Sequence, residues 1–559
     1  MLPNDVKIWA EDDDFTQLGA TGDQNLRRLV VIRAYCKALR QMGLNDSLSE
    51  VAQIMALHPS FVHIFYEAFS SRFDPSVPNN ASSMLSSDNE LFRRLYNLLA
   101  ATIRTNFYQR DFNGQPKPFL SLKFDCYQID GLPEPKPLYE IFVYSPRVEG
   151  CHLRSALIAR GGIRWSNRLQ DYRSEILQLM KTQTLKNAII VPSGAKGGFI
   201  CKQFEKLKAD GSTPEQLRQE VKDCYQIFVK GLLDLTDNPH LEPSFGPLQN
   251  DPYLVVAADK GTAGFSDLAN AIAREYNFWL GDAFASGGSK GYNHKEMAIT
   301  ARGAWISVRR HFYELGIDCQ TQPITVVGVG DMSGDVFGNG MLQSEQICLV
   351  AAFDHRHIFL DPNPDPLTAY KERQRLFNLP DSSWADYRQE CLSKGGGVFD
   401  RSASTIPLSD AVCRALNIDP SLNQITPAEL IPLLLKARVD LLWFGGVGTF
   451  IKSSQETQSQ AQDKSNDAIR VNADQVQARV IGEGANLGMT QQARIAYALK
   501  GGFLNTDAID NSAGVDCSDR EVNLKILFLS LERSDRDSIL SNAASDVADG
   551  VLTDNSAQN

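Results

Sequence analysis

Apolar positions along this chain follow two rhythms. Over the first ~110 residues they recur at helical spacing. Between Gln24 and Met42, Leu26, Leu29, Val30, Tyr35, Cys36 and Leu39 share a face, and Gly43 stops the helix. Shorter helices are predicted over Leu48–Ala56 and Phe61–Phe73. The Pro-, Asn- and Ser-rich stretch from Asp74 to Asp88 reads as a loop. Asp88 is then expected to cap a helix running to about Asn106, with Leu91, Leu95, Leu98 and Leu99 inward.

From Phe119 the period shortens to two. Strands are predicted over Leu120–Tyr127 and Leu138–Tyr144, with a third around Leu153–Ala159 leading into Arg160. A helix follows Ser166 and reaches about Lys186; Ala188–Val191 is a short buried strand ending at Pro192. Thr213, Pro214 and Gln216 form a capping-box start, and Leu217, Val221, Cys224, Phe228 and Leu232 line the helix behind it. Tyr253–Ala258 is a further strand with Asp259 at its end. A helix over Thr300–Leu315 leads into a second α/β unit: strand Ile324–Val327, a glycine-rich turn, a helix from Val336, and strand Ile347–Phe353 ending at Asp354. Lys452–Val471 is a polar tract expected to be an exposed loop, and Leu524–Val551 returns to helical spacing. Strands alternating with helices give an α/β fold: a substrate-binding α/β domain, a Rossmann-like dinucleotide-binding domain and an N-terminal helical segment. The expected boundaries are 1–115 helical, 116–315 substrate-binding, 316–515 dinucleotide-binding, and 516–559 a C-terminal helical segment returning towards the substrate domain.

A net charge of −11 disfavours a general nucleic-acid binder without excluding a local basic pocket. The ten cysteines show neither zinc spacing nor a disulfide framework, so reduced thiols in a cytoplasmic protein are expected. No apolar run approaches the ~18 residues that span a bilayer, and neither membrane nor nucleic-acid partners are expected.

The chemistry gathers in one stretch. Arg160 stands before Gly161-Gly162, Gln183 and Lys186 share a helix face, and Lys196 lies between Gly194 and Gly197. Three cations and an amide converging on one pocket would suit a dianionic substrate. Each has a plainer reading. Lys196 also fits a solvated turn residue; it does not fit a phosphate loop, where Ser or Thr follows the lysine. Gln183 and Lys186 fit a wet helix face, and Arg160 a structural ion pair. Asp259 suits either a ligand site at a strand's carboxyl end or the cap of a helix after Gly264. In the second unit, Gly328, Gly330, Ser333 and Gly334 approximate G-x-G-x-x-G, with Ser333 at the third glycine position. Asp354 would accept from an adenosine ribose, favouring NAD over NADP, although His355, Arg356 and His357 follow it.

The wording Arg160-Gly-Gly-Ile-Arg-Trp-Ser166, Val191-Pro-Ser-Gly-Ala-Lys-Gly-Gly-Phe199, Gly330-Asp-Met-Ser-Gly-Asp-Val-Phe-Gly-Asn-Gly-Met341 and Phe353-Asp-His-Arg-His-Ile-Phe-Leu-Asp-Pro362 resembles the large NAD-specific bacterial glutamate dehydrogenases. Asp440–Thr449, Gly482–Gly488 and Asn511–Ser518 follow the same pattern, so the resemblance covers nearly the whole chain. It implies NAD-dependent oxidative deamination of L-glutamate to 2-oxoglutarate and ammonium, in glutamate catabolism, with NAD as cofactor and no metal. Lys196 would be the catalytic lysine and Asp259 the proton-transferring carboxylate. Gln183 and Lys186 would hold the α-carboxylate, and Arg160 and Ser518 the side-chain carboxylate. Thr300 would approach the nicotinamide, and Asn486 would serve from the late glycine loop. Arg160 stands where compact glutamate dehydrogenases have lysine, and the segment from Lys186 to Lys196 is shorter than theirs. Members of the large class are much longer, so a fragment of a homo-oligomeric protein is expected, with the N-terminal helices as a docking or oligomerisation module. The alternatives are another amino-acid dehydrogenase or a catalytically silent regulatory or interaction fragment.

Overall fold

The computed structural model describes residues 11, 13–16, 26–43, 47–77, 89–111, 113–132, 134–186, 193–238, 245–246, 250–262, 264–461 and 463–559. The chain divides into two compact units, Met1–Gly291 with Glu521–Asp537, and Tyr292–Arg520 with Ser538–Asn559.

The first unit begins with helices Leu26–Gln41, Leu48–Leu57, Pro59–Phe73 and Glu90–Ala101. Ser47 and Glu50 close a capping box on the second. Asn89, and not Asp88, caps the fourth: its Oδ1 accepts from Leu91 and Phe92 N–H. Asp88 lies outside the described residues, as does most of the loop before it. That helix stops at Ala101 because Thr102-Ile103-Arg104-Thr105, rich in β-branched side chains, pairs as strand β1. The buried Tyr35 meets Phe65 and Phe124 edge-on, at centroid distances of 5.2 and 6.2 Å, and so packs the first helix onto the strand Leu120–Asp125.

The sheet of this unit has seven strands in the order β1-β2-β3-β4-β6-β5-β7. They are β1 Thr102–Thr105, β2 Leu120–Asp125, β3 Tyr139–Tyr144, β4 Val148–Arg154, β5 Ala159–Trp165, β6 Ser193–Cys201 and β7 Val255–Ala258. Where one strand is expected over Leu153–Ala159, two flank a turn, so Arg160 lies within β5 and not beyond a strand. The segment Ala188–Val191 lies outside the described residues. Strands β5, β6 and β7 run parallel; β1 to β4 and β6 pair antiparallel. Ile163 and Phe199 join the core against Phe228 and Leu232 of helix Pro214–Leu233. Thr213 and Gln216 form the expected capping box on that helix. Side chains alternate across a strand, so Arg160, Gly162 and Arg164 of β5 take the opposite face to Ile163.

The second unit holds a six-stranded sheet in the order β11-β10-β9-β8-β14-β17. It comprises β8 Ile324–Val329, β9 Ile347–Phe353, β10 His357–Leu360, β11 Gly397–Asp400, β14 Leu441–Phe444 and β17 Val480–Gly482. Two small pairs accompany it: β12 Ile406–Pro407 with β13 Gln424–Ile425, and β15 Ile451–Lys452 with β16 Val471–Asn472. The central strands are parallel, and β10 and β11 add an antiparallel edge. They read as nearly continuous apolar runs because both faces are covered, one by a cluster around Leu430, Ile431 and Phe444, the other by Trp305, Phe312 and Trp384. The tract 452–471 is more ordered than an exposed loop. Arg470 is buried there and donates to Thr449 O at 2.8 Å and Asp467 Oδ1 at 2.6 Å. The C-terminal region forms helices Ser512–Leu527, Arg533–Asn542 and Ala544–Gln558. Among the described residues no helix is long and apolar enough to cross a membrane.

Candidate active site

Lys196 is not in a turn. It sits within β6, paired with Leu153 of β4, and the glycines around it serve close packing. A Cβ on Gly194 would stand 2.5 Å from Thr184 N, and one on Gly198 2.2 Å from Ile176 Cδ1, so helix Tyr172–Lys186 lies directly on this strand. Gln183 is buried on that helix, not on a wet face. Lys186 ends the helix; its side chain lies outside the described residues.

Under the helix, Lys196 Nζ is 2.7 Å from Asp259 Oδ2. Arg164 Nε donates to the same oxygen at 2.9 Å, and its Nη1 reaches Glu175 Oε1 at 2.8 Å. Ser166 Oγ donates to Glu175 Oε2 at 2.6 Å. A four-membered chain of charges thus crosses β7, β5, β6 and the helix. Burial lowers the Lys196 ammonium from its ordinary pKa, with Asp259 opposing and Arg164 reinforcing that shift. Burial would raise the Asp259 carboxyl, but the charges of Lys196 and Arg164 outweigh it and hold it well below the usual carboxylate range.

Backbone contacts place Asp259 just beyond β7. Thr262 Oγ1 accepts from Asp259 N–H at 3.0 Å and donates to Ile163 O at 2.8 Å. Gly261, at φ +81°, passes so close to Trp165 that a Cβ would lie 2.9 Å from that residue's Cβ. Asp259 caps no helix: the next one, Ser266–Glu275, has Phe265 at its N-cap. Arg160 is 5% exposed. Its Nε donates to Tyr253 Oη at 2.5 Å and its Nη2 to Asn523 Oδ1 at 2.8 Å.

In the second unit the glycine turn follows β8. Gly330 takes φ +138° and donates to Phe353 O at 2.8 Å, and a Cβ there would lie 2.6 Å from Phe337 Cδ2. Gly334 differs: its nearest neighbour would be Asp331 O at 3.4 Å, leaving space above the start of helix Asp335–Gly340. Ser333, in the third glycine position, folds back, its N–H donating to Asp331 Oδ1 at 2.9 Å. At the end of β9, Asp354 Oδ1 accepts from Arg356 and His357 N–H at 2.8 and 2.6 Å. Asp354 Oδ2 is buried and has no hydrogen-bond partner, although Arg356 Nε approaches to 3.6 Å. Asn486 Oδ1, on the loop after β17, is likewise buried and unbonded. Thr300 is buried in helix Ile299–Glu314 facing Gly514, and Ser518 Oγ lies 3.4 Å from His294 Nε2. Among the described residues no group of three or more His, Cys, Asp or Glu side chains is placed to hold a metal ion.

Residues 80–559 match the family described as bacterial NAD-glutamate dehydrogenase, catalytic domain, and residues 10–75 match glutamate dehydrogenase, helical motif 3. The chain belongs to the bacterial NAD-glutamate dehydrogenase family. It is 49% identical over 592 residues to the NAD-specific glutamate dehydrogenase of Mycobacterium tuberculosis, covering 99% of this chain and 36% of that protein. It is 50% identical over 544 residues to that of Pseudomonas aeruginosa, covering 93% and 33%. The chain therefore spans about a third of the length of these relatives. The solved glutamate dehydrogenase of Plasmodium falciparum is similar at 15% identity and a TM-score of 0.45, over 98% of this chain and 92% of that one.

Within this family member, sequence reasoning passed over Arg164, Glu175 and Trp384. Arg164 stands four residues after Arg160 in a strand, and period-two alternation puts both on one face. Glu175 carried no signal beyond its place in the first turn of a helix. Trp384 Nε1 donates to Gly330 O at 2.9 Å, steadying the glycine turn from a region remote in sequence.

Proposed function

We propose that this chain catalyses NAD-dependent oxidative deamination of L-glutamate to 2-oxoglutarate and ammonium, in the catabolic direction. The observation that carries the proposal is the buried Lys196–Asp259 pair at 2.7 Å, an amine of lowered basicity against a carboxylate held ionised. Family membership supports the same reaction.

The residues of the second unit fit a dinucleotide. Gly334 leaves room above a helix N-terminus, and Asp354 Oδ2 and Asn486 Oδ1 are acceptors without donors. Gly328, Gly330, Ser333 and Gly334 would hold the pyrophosphate, Asp354 a ribose hydroxyl, and Thr300 and Asn486 the nicotinamide end. NAD, when bound, takes up two electrons and the hydrogen from the substrate Cα. Arg160, with Ser518, would orient the side-chain carboxylate, and Gln183 and Lys186 the α-carboxylate.

Asp259 takes a proton from the substrate amino group. At rest its Oδ2 already accepts from Lys196 and Arg164, so it becomes a competent base only when Lys196 gives up its own proton. Once its own proton has passed to solvent, neutral Lys196 removes a proton from water as the oxygen adds to the substrate iminium carbon and returns it to the nitrogen. The carbinolamine hydroxyl proton then goes to the departing ammonia, which leaves as ammonium, and the proton on Asp259 passes to solvent. A cytoplasmic setting belongs to the same proposal and is supported by ten cysteines scattered without a C-x-x-C pair.

The test is NADH absorbance from the purified, folded chain with NAD and either glutamate or leucine. Glutamate oxidation is expected. Preference for leucine would make this another amino-acid dehydrogenase. A folded chain that binds NAD without turnover would favour a silent interaction fragment, a reading lent weight by the chain's span of about a third of its relatives.

A further inference from the structure

The loop from Glu483 to Gly488 is held at almost every residue. Glu483 N–H donates to Asp510 Oδ2 at 2.8 Å, and Leu487 N–H to Asp507 Oδ2 at 2.9 Å. Gly484 O accepts from Asn511 Nδ2, and Ala485 N–H donates to Phe444 O at 2.8 Å. Gly488 O accepts from Phe450 N–H at 3.0 Å. Asn486 is flanked by these tethers, and its Oδ1 is buried with no donor.

The tethers hold a backbone that does not hold itself. Leu487 takes φ +66°, a left-handed conformation unfavourable to any residue that carries a Cβ. A Cβ on Gly484 would lie 2.7 Å from Trp443 Cζ2, and one on Gly488 2.8 Å from Phe444 Cγ, so the loop is pressed onto the end of β14. Asp507 and Asp510 are 4% and 1% exposed, deep enough for their bonds to escape competition from water. Strain stored beside an unsatisfied acceptor is the pattern of a preorganised ligand contact.

We infer that Asp507 and Asp510 are positioning residues for the dinucleotide: their carboxylates fix the loop on either side of Asn486 so that its Oδ1 meets an N–H or O–H donor of the cofactor. This rests on the dinucleotide reading above and adds residues that touch neither substrate nor cofactor. Asp507 is the cleaner probe, because its Oδ2 meets the strained Leu487 while its Oδ1 lies 3.3 Å from Arg494.

The experiment measures NAD affinity by titration, and glutamate KM and kcat by NADH formation, for the chain and for Asp507→Ala, Asp507→Asn and Asn486→Ala. Asp507→Ala should weaken NAD binding about tenfold while glutamate KM stays within twofold, because one tether is lost where a buried hydrogen bond is worth ~1–1.5 kcal/mol. Asp507→Asn keeps an oxygen for Leu487 N–H and should recover affinity to within threefold. Asn486→Ala should match Asp507→Ala, and the two changes together should add little to either alone. If Asp507→Ala fails to fold, Asp510→Ala, with Asp510→Asn as its conservative partner, replaces it in the same comparison. Unchanged NAD affinity in the folded variant, an additive double variant, or equal loss of glutamate and NAD binding would each overturn the inference. A wild-type chain that binds no NAD would instead refute the dinucleotide reading itself.

Discussion

The two units each bury a charge cluster, and the clusters are built to different balances: two cations with two carboxylates in the first, one cation with three carboxyls in the second. In the first, one oxygen of Asp259 accepts from two cations, Lys196 and Arg164. In the second, Glu483, Asp507 and Asp510 gather around a single guanidinium, that of Arg494, which meets Glu483 at 2.6 and 2.8 Å. Burial penalises every charge, so the nearest charged partners decide who keeps a proton. Lys196 and Arg164 hold Asp259 ionised well below the ordinary range, while burial, helped by Arg164 and opposed by Asp259 and Glu175, lowers the basicity of Lys196. Surplus carboxylates do the reverse: burial, reinforced by Asp507 and Asp510, raises Glu483 to about 7. The balanced cluster thus keeps Asp259 ionised beside an amine of lowered basicity, whereas the carboxyl-rich one holds a proton near neutrality.

The largest effect should come from removing the amine. Lys196→Ala is expected to lower kcat by ~10²–10⁴-fold, the usual worth of a positioned acid–base group, while glutamate still binds. Retention of more than a few per cent of the rate would remove its catalytic role and make the first cluster merely structural.

Arg164→Gln comes next. It removes one of the two cations on Asp259 and should lower kcat by about tenfold or more. The diagnostic sign lies in the pH profile. With that cation gone the Lys196 ammonium is less depressed, so the acid limb of kcat/KM should move upward. The wild-type rate should increase with pH as Lys196, lowered by burial, loses its proton. A lower rate with an unmoved acid limb would mean that Arg164 only supports packing.

Asp354→Ala sharpens the contrast from the other side, because Oδ2 of that residue is an acceptor left open. NAD affinity should fall about tenfold, one hydrogen bond to a charged group. Glutamate KM should stay close to wild type in steady-state measurements; equal losses would mean the ribose contact is misplaced.

How much of this was legible beforehand follows from locality. The capping box at Thr213, strand β9 to its last residue, and the acids at the ends of β7 and β9 depend on neighbours within a few positions, and the sequence displays them. Lys196 was recognisable as chemistry, but its place inside a strand was not, because glycines flanking a residue look alike whether they bend the chain or admit a helix against a strand. Only the contact with Ile176 and Thr184 distinguishes the two. Arg164 and Glu175 had to be seen across a sheet and a helix. The tethers from Asp507 and Asp510 join residues 20 and 27 positions apart, which no periodicity reports.

The smallest expected effect tests the second cluster alone. Glu483 has a folded pKa of about 7 against 4.5 for the ordinary side chain, so the native state holds more proton than the unfolded chain between those values. Stability from this group is therefore present at acid pH and declines as pH rises from about 4.5 to 7. Glu483→Gln, which cannot ionise, should flatten that decline. Because other groups titrate over the same range, the informative quantity is the variant-minus-wild-type difference in Tm, which should grow towards pH 7. A difference that shrinks towards pH 7 would mean that the Arg494 pair, and not the surplus of carboxyls, governs the cluster. The opposition between the two units would then fail on its weaker side while leaving the Lys196 prediction untouched.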